Sequence, residues 1–157
     1  MKKPLIYGLL FVSSLIIESR VSVFGIRPDA TALLAYYFGL RNGPLKGAAF
    51  GASLGAASDA LSLGMLGPDM LGKAAVGYLS ALLPEIFFGW TLSTGLAAAA
   101  ALTLIDRTIS FGAVSIFGQM PAGIGSASYI AFGQAAINSF AWLFIRYSPG
   151  EWRKHAG

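Results

Sequence analysis

Glycine recurs at every fourth position between residues 43 and 55. In an α-helix this spacing places side chains on one face, so the glycines predict a flat strip that another helix can approach closely. Each glycine costs a helix in water about 1 kcal/mol relative to alanine, whereas small residues at this spacing are how helices pack in a bilayer. The strip therefore favours a membrane helix. Its members are Gly43, Gly47, Gly51 and Gly55, and Asp59 follows at the next step.

The composition of the chain also favours a membrane protein. Hydrophobic residues make up 55% of the sequence and charged residues 11%, whereas a soluble domain carries about 25% charged residues. With 157 residues and about 20 residues for each span, the chain has room for one transmembrane domain, an all-α integral membrane bundle of six helices. The predicted spans cover residues 4–24, 28–40, 44–63, 68–83, 91–111 and 124–147.

Two prolines and one charged pair bear on the limits of these helices. Pro28 and Pro44 suit a first helical turn, where the missing N–H is no loss. Asp106 and Arg107 interrupt the apolar run of the fifth helix, so an incomplete fifth span is the alternative there.

The N-terminal segment has two interpretations. Two lysines followed by an apolar run over residues 5–17 would suit a secretory signal. However, Glu18 and Arg20 occupy the place where a small-residue cleavage site should lie, and further hydrophobic segments follow. We therefore interpret this segment as the first span.

The positions of lysine and arginine predict the orientation in the membrane, because cytoplasmic loops carry the excess of positive charge. With six spans, both termini lie on one side, and that side receives nearly all the basic residues outside the spans. We therefore expect cytoplasmic termini. The net charge of +4 then follows from topology and needs no nucleic-acid partner. The cytoplasmic set is Lys2, Lys3, Arg41, Lys46, Arg146, Arg153 and Lys154, against Arg27 on the outer side.

Six charged side chains lie more than two residues from either end of a predicted span, where each is costly unless it faces protein or water. Counting about 1.5 Å per residue from the cytoplasmic ends, and for Lys73 from the outer end of its helix, places them in the outer third of the bilayer. We expect a charge-balanced polar cluster there, with Asp59 and Lys73 paired because a short turn joins their helices. The alternative is that some of them, Arg20 and Arg107 foremost, reach the outer headgroups. The six are Glu18, Arg20, Asp59, Lys73, Asp106 and Arg107.

Two amide side chains near the middle of the sixth helix also need hydrogen-bond partners. Gln134 and Asn138 are four residues apart, so they share a face and are expected to hydrogen-bond to a neighbouring helix. Contact with a ligand or a partner protein is the alternative.

The sequence holds no convincing motif for catalysis. Gly51, Ser53 and Gly55 match the G-x-S-x-G pattern of a hydrolase, but that pattern needs a strand and a histidine partner, and the single histidine, His155, lies near the C-terminus. Metal-ligand spacings, phosphate-binding loops and dinucleotide fingerprints are missing, and the chain has no cysteine. We therefore predict no enzyme activity, no catalytic residue, no cofactor and no metal.

Several short motifs in the first half of the chain point to one family. The motifs are Gly25-Ile26-Arg27-Pro28-Asp29, Tyr36-Tyr37-Phe38-Gly39-Leu40-Arg41-Asn42-Gly43-Pro44, the glycine strip to Asp59, Gly67-Pro68 and Gly77-Tyr78-Leu79. Over these residues, 25–79, the chain resembles MreD, the rod shape-determining membrane protein family, with a weaker likeness at Asn138 and in the basic tail. The fourth helix departs from the family at Asp69 and Lys73, which make its start more polar.

The resemblance implies a non-enzymatic scaffold subunit of the bacterial cell-elongation complex in the inner membrane. Such a subunit binds MreC and, through it, acts with MreB, with RodA and with its penicillin-binding transpeptidase in lateral peptidoglycan synthesis. It implies a fold similar to the substrate-binding subunits of energy-coupling-factor transporters. The glycine strip would pack against a neighbouring helix or against the partner's single span.

Two other functions remain open from the residues. One is a substrate-binding membrane subunit of a vitamin-type transporter, for which Phe111, Phe117 and Tyr129 are the available aromatics near the outer loops. The other is a small ion or proton channel that uses the acids of the predicted polar cluster.

Overall fold

The computed structural model describes residues 2–22, 25–62, 66–86, 91–117 and 123–143. These residues form six α-helices, which confirms the all-α prediction. The helices are α1 (Lys2–Arg20), α2 (Ala30–Asn42), α3 (Pro44–Leu61), α4 (Pro68–Ile86), α5 (Leu92–Ile116) and α6 (Ile124–Trp142).

The start of α2 differs from the prediction. Asp29 is the N-cap residue, and its carboxylate accepts a hydrogen bond from the Ala32 N–H (2.9 Å). Pro28 therefore precedes the cap and does not lie in the first turn. Pro44, in contrast, stands at the start of α3 as predicted.

Two further helices are longer than predicted. Helix α4 continues through the buried Pro84 to Ile86, beyond the predicted end at residue 83. Helix α5 runs for 25 residues without a break, so the alternative of an interrupted fifth helix is wrong. Asp106 does not break it because its side chain points into the protein interior, where cations lie. The predicted end of the sixth helix at residue 147 lies outside the described residues.

Helix α4 lies at the centre of the fold, in contact with α2, α3 and α5, while α1 contacts α2 and α6 contacts α5. Alanine and leucine side chains fill the space between these helices, and the ring of Tyr36 lies 4.3 Å from that of Trp142. The remaining buried members of the apolar core are Leu33, Leu34, Ala35, Leu40, Leu54, Val76, Ala98, Ala99 and Leu102.

Three members of the glycine strip pack against the backbone of α4. A Cβ atom on Gly47, Gly51 or Gly55 would overlap the carbonyl oxygen of Gly77, Lys73 or Asp69, respectively. This contact, which we call the glycine seam, confirms the prediction of close packing. Because α4 covers the strip, the alternative that a partner's span packs there is wrong.

Gly43 does not belong to the seam. It lies between α2 and α3 with φ +88°, a backbone conformation that residues other than glycine rarely adopt. A Cβ atom there would meet no neighbouring atom. Gly43 therefore makes the turn between the two helices.

The outer surface of the described bundle carries many large apolar side chains. Among the described residues, α5 is the one helix that is both long and apolar enough to cross a membrane, judged by length and composition. Large apolar side chains are nevertheless exposed on other helices too, most densely on α1 and α6. They include Ile6, Leu9, Val12, Ile16 and Ile17 on α1, and Ile124, Tyr129, Ile130, Phe132 and Phe140 on α6.

Candidate functional site

Charged side chains of three helices meet in the interior of the bundle. Lys73 Nζ of α4 lies 3.3 Å from Asp69 Oδ2, 3.6 Å from Asp29 Oδ2 and 3.8 Å from Asp106 Oδ2. The side chains of Lys73, Asp29 and Asp106 are all 0% exposed. Burying charges in this way is costly unless they are paired. Lys73 is the cation that these three carboxylates share.

Arg107 is the second cation of this site. Its Nη2 atom pairs with Asp29 Oδ2 and lies 3.1 Å from Asp106 Oδ2, while Nη1 lies 3.8 Å from Asp69 Oδ1. The side chains of Arg107 and Asp69 are 22% and 20% exposed, so they form the accessible edge of an otherwise buried site. We call Asp29, Asp69, Lys73, Asp106 and Arg107 the charge cluster.

The start of α2 fixes Asp29 at the centre of the cluster. Asp29 Oδ1 is held by the capping hydrogen bond from the Ala32 N–H, which leaves Oδ2 to face the two cations. Beside it, Thr31 Oγ1 lies 3.0 Å from Asp29 Oδ1 and donates to Glu18 Oε2 (2.7 Å). The polar network therefore extends to α1.

Helix α6 closes the network on another side. Gln134 Nε2 donates to the Arg27 carbonyl oxygen (2.9 Å), and Asn138 Nδ2 lies 3.3 Å from the Asp29 carbonyl oxygen and 3.1 Å from Thr103 Oγ1. The predicted hydrogen bond to a neighbouring helix is confirmed for Asn138, through Thr103 of α5, whereas Gln134 bonds to the segment that precedes α2.

Asp59 has a different role from the predicted one. Its carboxylate accepts hydrogen bonds from the backbone N–H groups of Gly67 (2.8 Å), Asp69 (3.1 Å) and Met70 (3.1 Å). These are the unpaired donors at the start of α4, where the helix dipole also favours a negative charge. The predicted Asp59–Lys73 pair is therefore wrong, because Asp59 caps α4 while Lys73 turns to the cluster.

The other members of the predicted outer cluster divide into three groups. Lys73, Asp106 and Arg107 come together, and Glu18 is linked to them through Thr31. Arg20 is exposed at the end of α1 and forms no ion pair with the described residues. One alternative expected Arg107 to extend to the surface. The side chain lies among the three carboxylates instead.

Sequence reasoning missed Asp29 and Asp69 as members of the cluster. Each stands at a helix start, where a carboxylate is ordinarily explained by capping. A signal was present in the spacing of Asp69 and Lys73, since residues four apart on a helix form ion pairs. No comparable signal marked Asp29, which meets Arg107 across 78 positions of the chain.

The cluster contains more acid than base. Three carboxylates face two cations, and in the described part of the chain neither oxygen of Asp106, nor Lys73 Nζ, has a hydrogen-bond partner. No group of three acidic, histidine or cysteine side chains able to hold a metal ion occurs among the described residues. The charge cluster therefore holds one more acidic than basic side chain.

Comparisons with protein-family models, with curated proteins and with solved structures found no match for this chain.

Proposed function

We propose that this protein is a non-enzymatic scaffold subunit of the bacterial cell-elongation complex, a six-span inner-membrane protein of the MreD kind that binds MreC. The proposal rests on how polar and apolar side chains are distributed between the interior and the surface of the fold. Charged and amide side chains lie inside, whereas large apolar side chains lie outside. In water such a surface would drive aggregation. In a bilayer the apolar side chains face lipid, and the interior carries the polar contacts.

The course of α3 supports the proposed topology. The seam contacts pair Gly47 with Gly77 and Gly55 with Asp69, so α3 and α4 run antiparallel. Helix α3 thus leads from the basic turn that contains Arg41 and Lys46 to the end of the bundle that holds the charge cluster. By the positive-inside rule the basic turn is cytoplasmic and the cluster lies toward the outer side.

Residues of the motifs that resemble MreD have identifiable structural roles in the core. Asp29 caps α2, Gly43 and Gly67 adopt positive φ angles at the turns that flank α3, and Gly77 receives Gly47 in the seam. A sequence that keeps these residues keeps the packing of α2, α3 and α4. The motifs therefore support a shared fold, which is the basis of the proposed shared role.

The surface available for MreC follows from the same packing. Since α4 covers the glycine strip, a single membrane span of the partner would have to bind elsewhere. The exposed apolar sides of α1 and α6, which include Leu9, Ile16, Phe132 and Phe140, are the part of the described surface with the composition that such a span requires.

The transporter alternative receives no support from the aromatic residues on which it depends. Phe117 and Tyr129 are exposed, and Phe111 is half-buried. These rings do not enclose an interior site in the described part of the chain, so we propose the scaffold function alone.

Replacement of the resident MreD in a rod-shaped bacterium tests this function. Cells that depend on this chain should keep their rod shape, and MreC should co-purify with it. With the seam variant Gly51→Leu, cells should lose their rod shape and MreC should not co-purify. Gly112→Leu, at a position with open space, should behave as the wild type. Round cells despite normal amounts of wild-type chain in the membrane would contradict the proposal, as would retention of a vitamin through purification.

A further inference from the structure

Glu18 is a half-buried acid of α1 that has no cation of its own. Its Oε2 atom accepts one hydrogen bond, from Thr31 Oγ1 of α2 (2.7 Å), and Glu18 forms no ion pair with the described residues. Arg20 stands two residues further on, a spacing at which helical side chains do not face each other. Glu18 is therefore tied to α2 but is not paired with a base.

The two cations of the charge cluster are occupied by other acids. The charge of Glu18 acts on both Lys73 and Arg107, but from beyond ion-pair distance. The three carboxylates of the charge cluster, in contrast, each pair with both of these cations. With Glu18 included, four acids share two bases, and Glu18 is the acid that neither base contacts.

Glu18 borders an uncovered apolar stripe of α1. Leu10, Ile17 and Val21 are spaced by seven and by four residues, so they lie on one side of the helix, and they are 40%, 44% and 42% exposed. The helical hydrogen bonding reaches Val21, whose N–H donates to the Ile17 carbonyl oxygen (2.8 Å). Val21 is three residues from Glu18, which makes the two side chains neighbours. A second helix packed along this stripe would therefore have Glu18 within reach.

The position of Glu18 defines what such a helix must carry. An acid in a membrane span is costly unless another group compensates it, and Glu18 stands in the last turn of α1, where the helix dipole also disfavours a negative charge. In the proposed topology this turn is the outer end of α1. The charge that complements it is therefore a basic side chain near the outer end of an apolar span.

We propose that Glu18 is the docking residue for a lysine or arginine side chain near the outer end of the MreC span, which packs along the exposed stripe of α1. This proposal rests on the proposed scaffold function, because that function makes MreC the partner. It adds the side chain of this protein that recognises MreC and the chemistry of the group that is recognised.

Binding of purified MreC to the purified full-length chain in detergent tests the proposal. Glu18→Gln keeps an acceptor for Thr31 and removes the charge, so the variant should stay folded while its Kd for MreC rises about tenfold. Glu85→Gln, which neutralises an exposed acid near the other end of the bundle, is the matched control and should leave the Kd unchanged.

Two outcomes separate this proposal from the scaffold function. Equal Kd values for the wild type and Glu18→Gln would overturn the docking role of Glu18 and leave the scaffold function standing; a lipid headgroup as the occupant of the stripe predicts this result. Failure of the wild type to bind MreC at all would contradict both proposals.

Exchange of the two charges gives a second readout, which a merely structural role of Glu18 would not produce. Glu18→Lys should lose MreC binding. An MreC variant with glutamate in place of the basic residue nearest to the outer end of its span should bind Glu18→Lys and not the wild type. Failure of this acidic MreC variant to bind Glu18→Lys, or its undiminished binding to the wild type, would overturn the proposal.

Discussion

The glycine seam and the charge cluster lie side by side on α4, yet they are specified in different ways. The seam depends on glycines spaced by four along a single helix, which meet the backbone of the next helix in the chain. The cluster joins Asp29, Lys73 and Asp106, which are far apart in sequence. Local periodicity therefore specifies the seam, whereas the cluster exists only when α2, α4 and α5 are in place.

Lys73 connects the two regions. Its carbonyl oxygen contacts Gly51 in the seam, while its ammonium group lies among the three carboxylates of the cluster. The close approach of α3 thus fixes the backbone position from which Lys73 reaches its partners. The glycines of α3 therefore position the charges of α4 without contacting them.

The largest expected effect comes from filling the seam. In the double variant Gly51→Leu/Gly55→Leu, each leucine would collide with the backbone of α4, at a cost near the upper end of the usual range of about 1–3 kcal/mol each. We expect no monodisperse folded protein on size-exclusion chromatography in detergent. Gly112→Leu is the control, because a Cβ atom added at Gly112 would meet no atom within 4 Å. A monodisperse double variant would mean that α3 and α4 are not in contact through this strip.

The next effect comes from removing the shared cation. Lys73→Met leaves three buried carboxylates with Arg107 alone, and breaking a buried ion pair in this way costs about 3–5 kcal/mol. Equilibrium denaturation in detergent should show this loss, while Lys46→Met at the exposed basic turn should change the free energy of unfolding by less than about 0.5 kcal/mol. Equal effects of the two substitutions would place Lys73 outside the cluster.

A smaller effect is expected at the junction of the two regions, where Asp59 caps α4. Asp59→Ala removes the acceptor of three backbone hydrogen bonds and should lower the free energy of unfolding by about 1–2 kcal/mol. Asp59→Asn keeps a side-chain acceptor and should lose less than half as much in the same denaturation assay. If the alanine variant were as stable as the wild type, the cap would be ruled out.

The smallest effect should come from α6. Loss of a polar contact between membrane helices costs about 0.6 kcal/mol on average, so Asn138→Ala and Gln134→Ala should each lower the free energy of unfolding by roughly this amount. Ser128→Ala on the exposed face of α6 should have no measurable effect. Denaturation midpoints identical for all three variants would show that α6 is not held to the Arg27–Asp29 segment by these amides.

Most of the fold could be predicted because it follows from local signals. The apolar runs, Pro44 and the glycine spacing place the helices and the α3–α4 contact within a few residues. The charge cluster could be predicted only in part. Asp106 and Arg107 stand out as charges in an apolar run, whereas Asp29 lies at a helix start and has an ordinary explanation as a cap.

The wrong pairing of Asp59 with Lys73 has a physical cause as well. Proximity along the chain favours this pair, but the unpaired N–H groups at the start of α4 are closer to Asp59 and bind its carboxylate with three donors. Pairing side chains by their charges alone does not take account of the backbone N–H donors at a helix terminus. Of the carboxylates that do meet Lys73, Asp69 is four residues away, whereas Asp29 and Asp106 are far away in sequence and no spacing along the chain relates them to Lys73.

Thiol labelling from one side tests whether α3 crosses the membrane from the basic turn to the cluster end. The chain has no cysteine, so single cysteines can be placed at Leu45 and Leu66, which are 79% and 71% exposed at opposite ends of α3. In intact cells with a permeable outer membrane, a reagent that cannot cross the inner membrane should label Leu66→Cys and not Leu45→Cys, and both should react after lysis. Labelling of both positions, or of Leu45→Cys alone, in intact cells would contradict this orientation of α3.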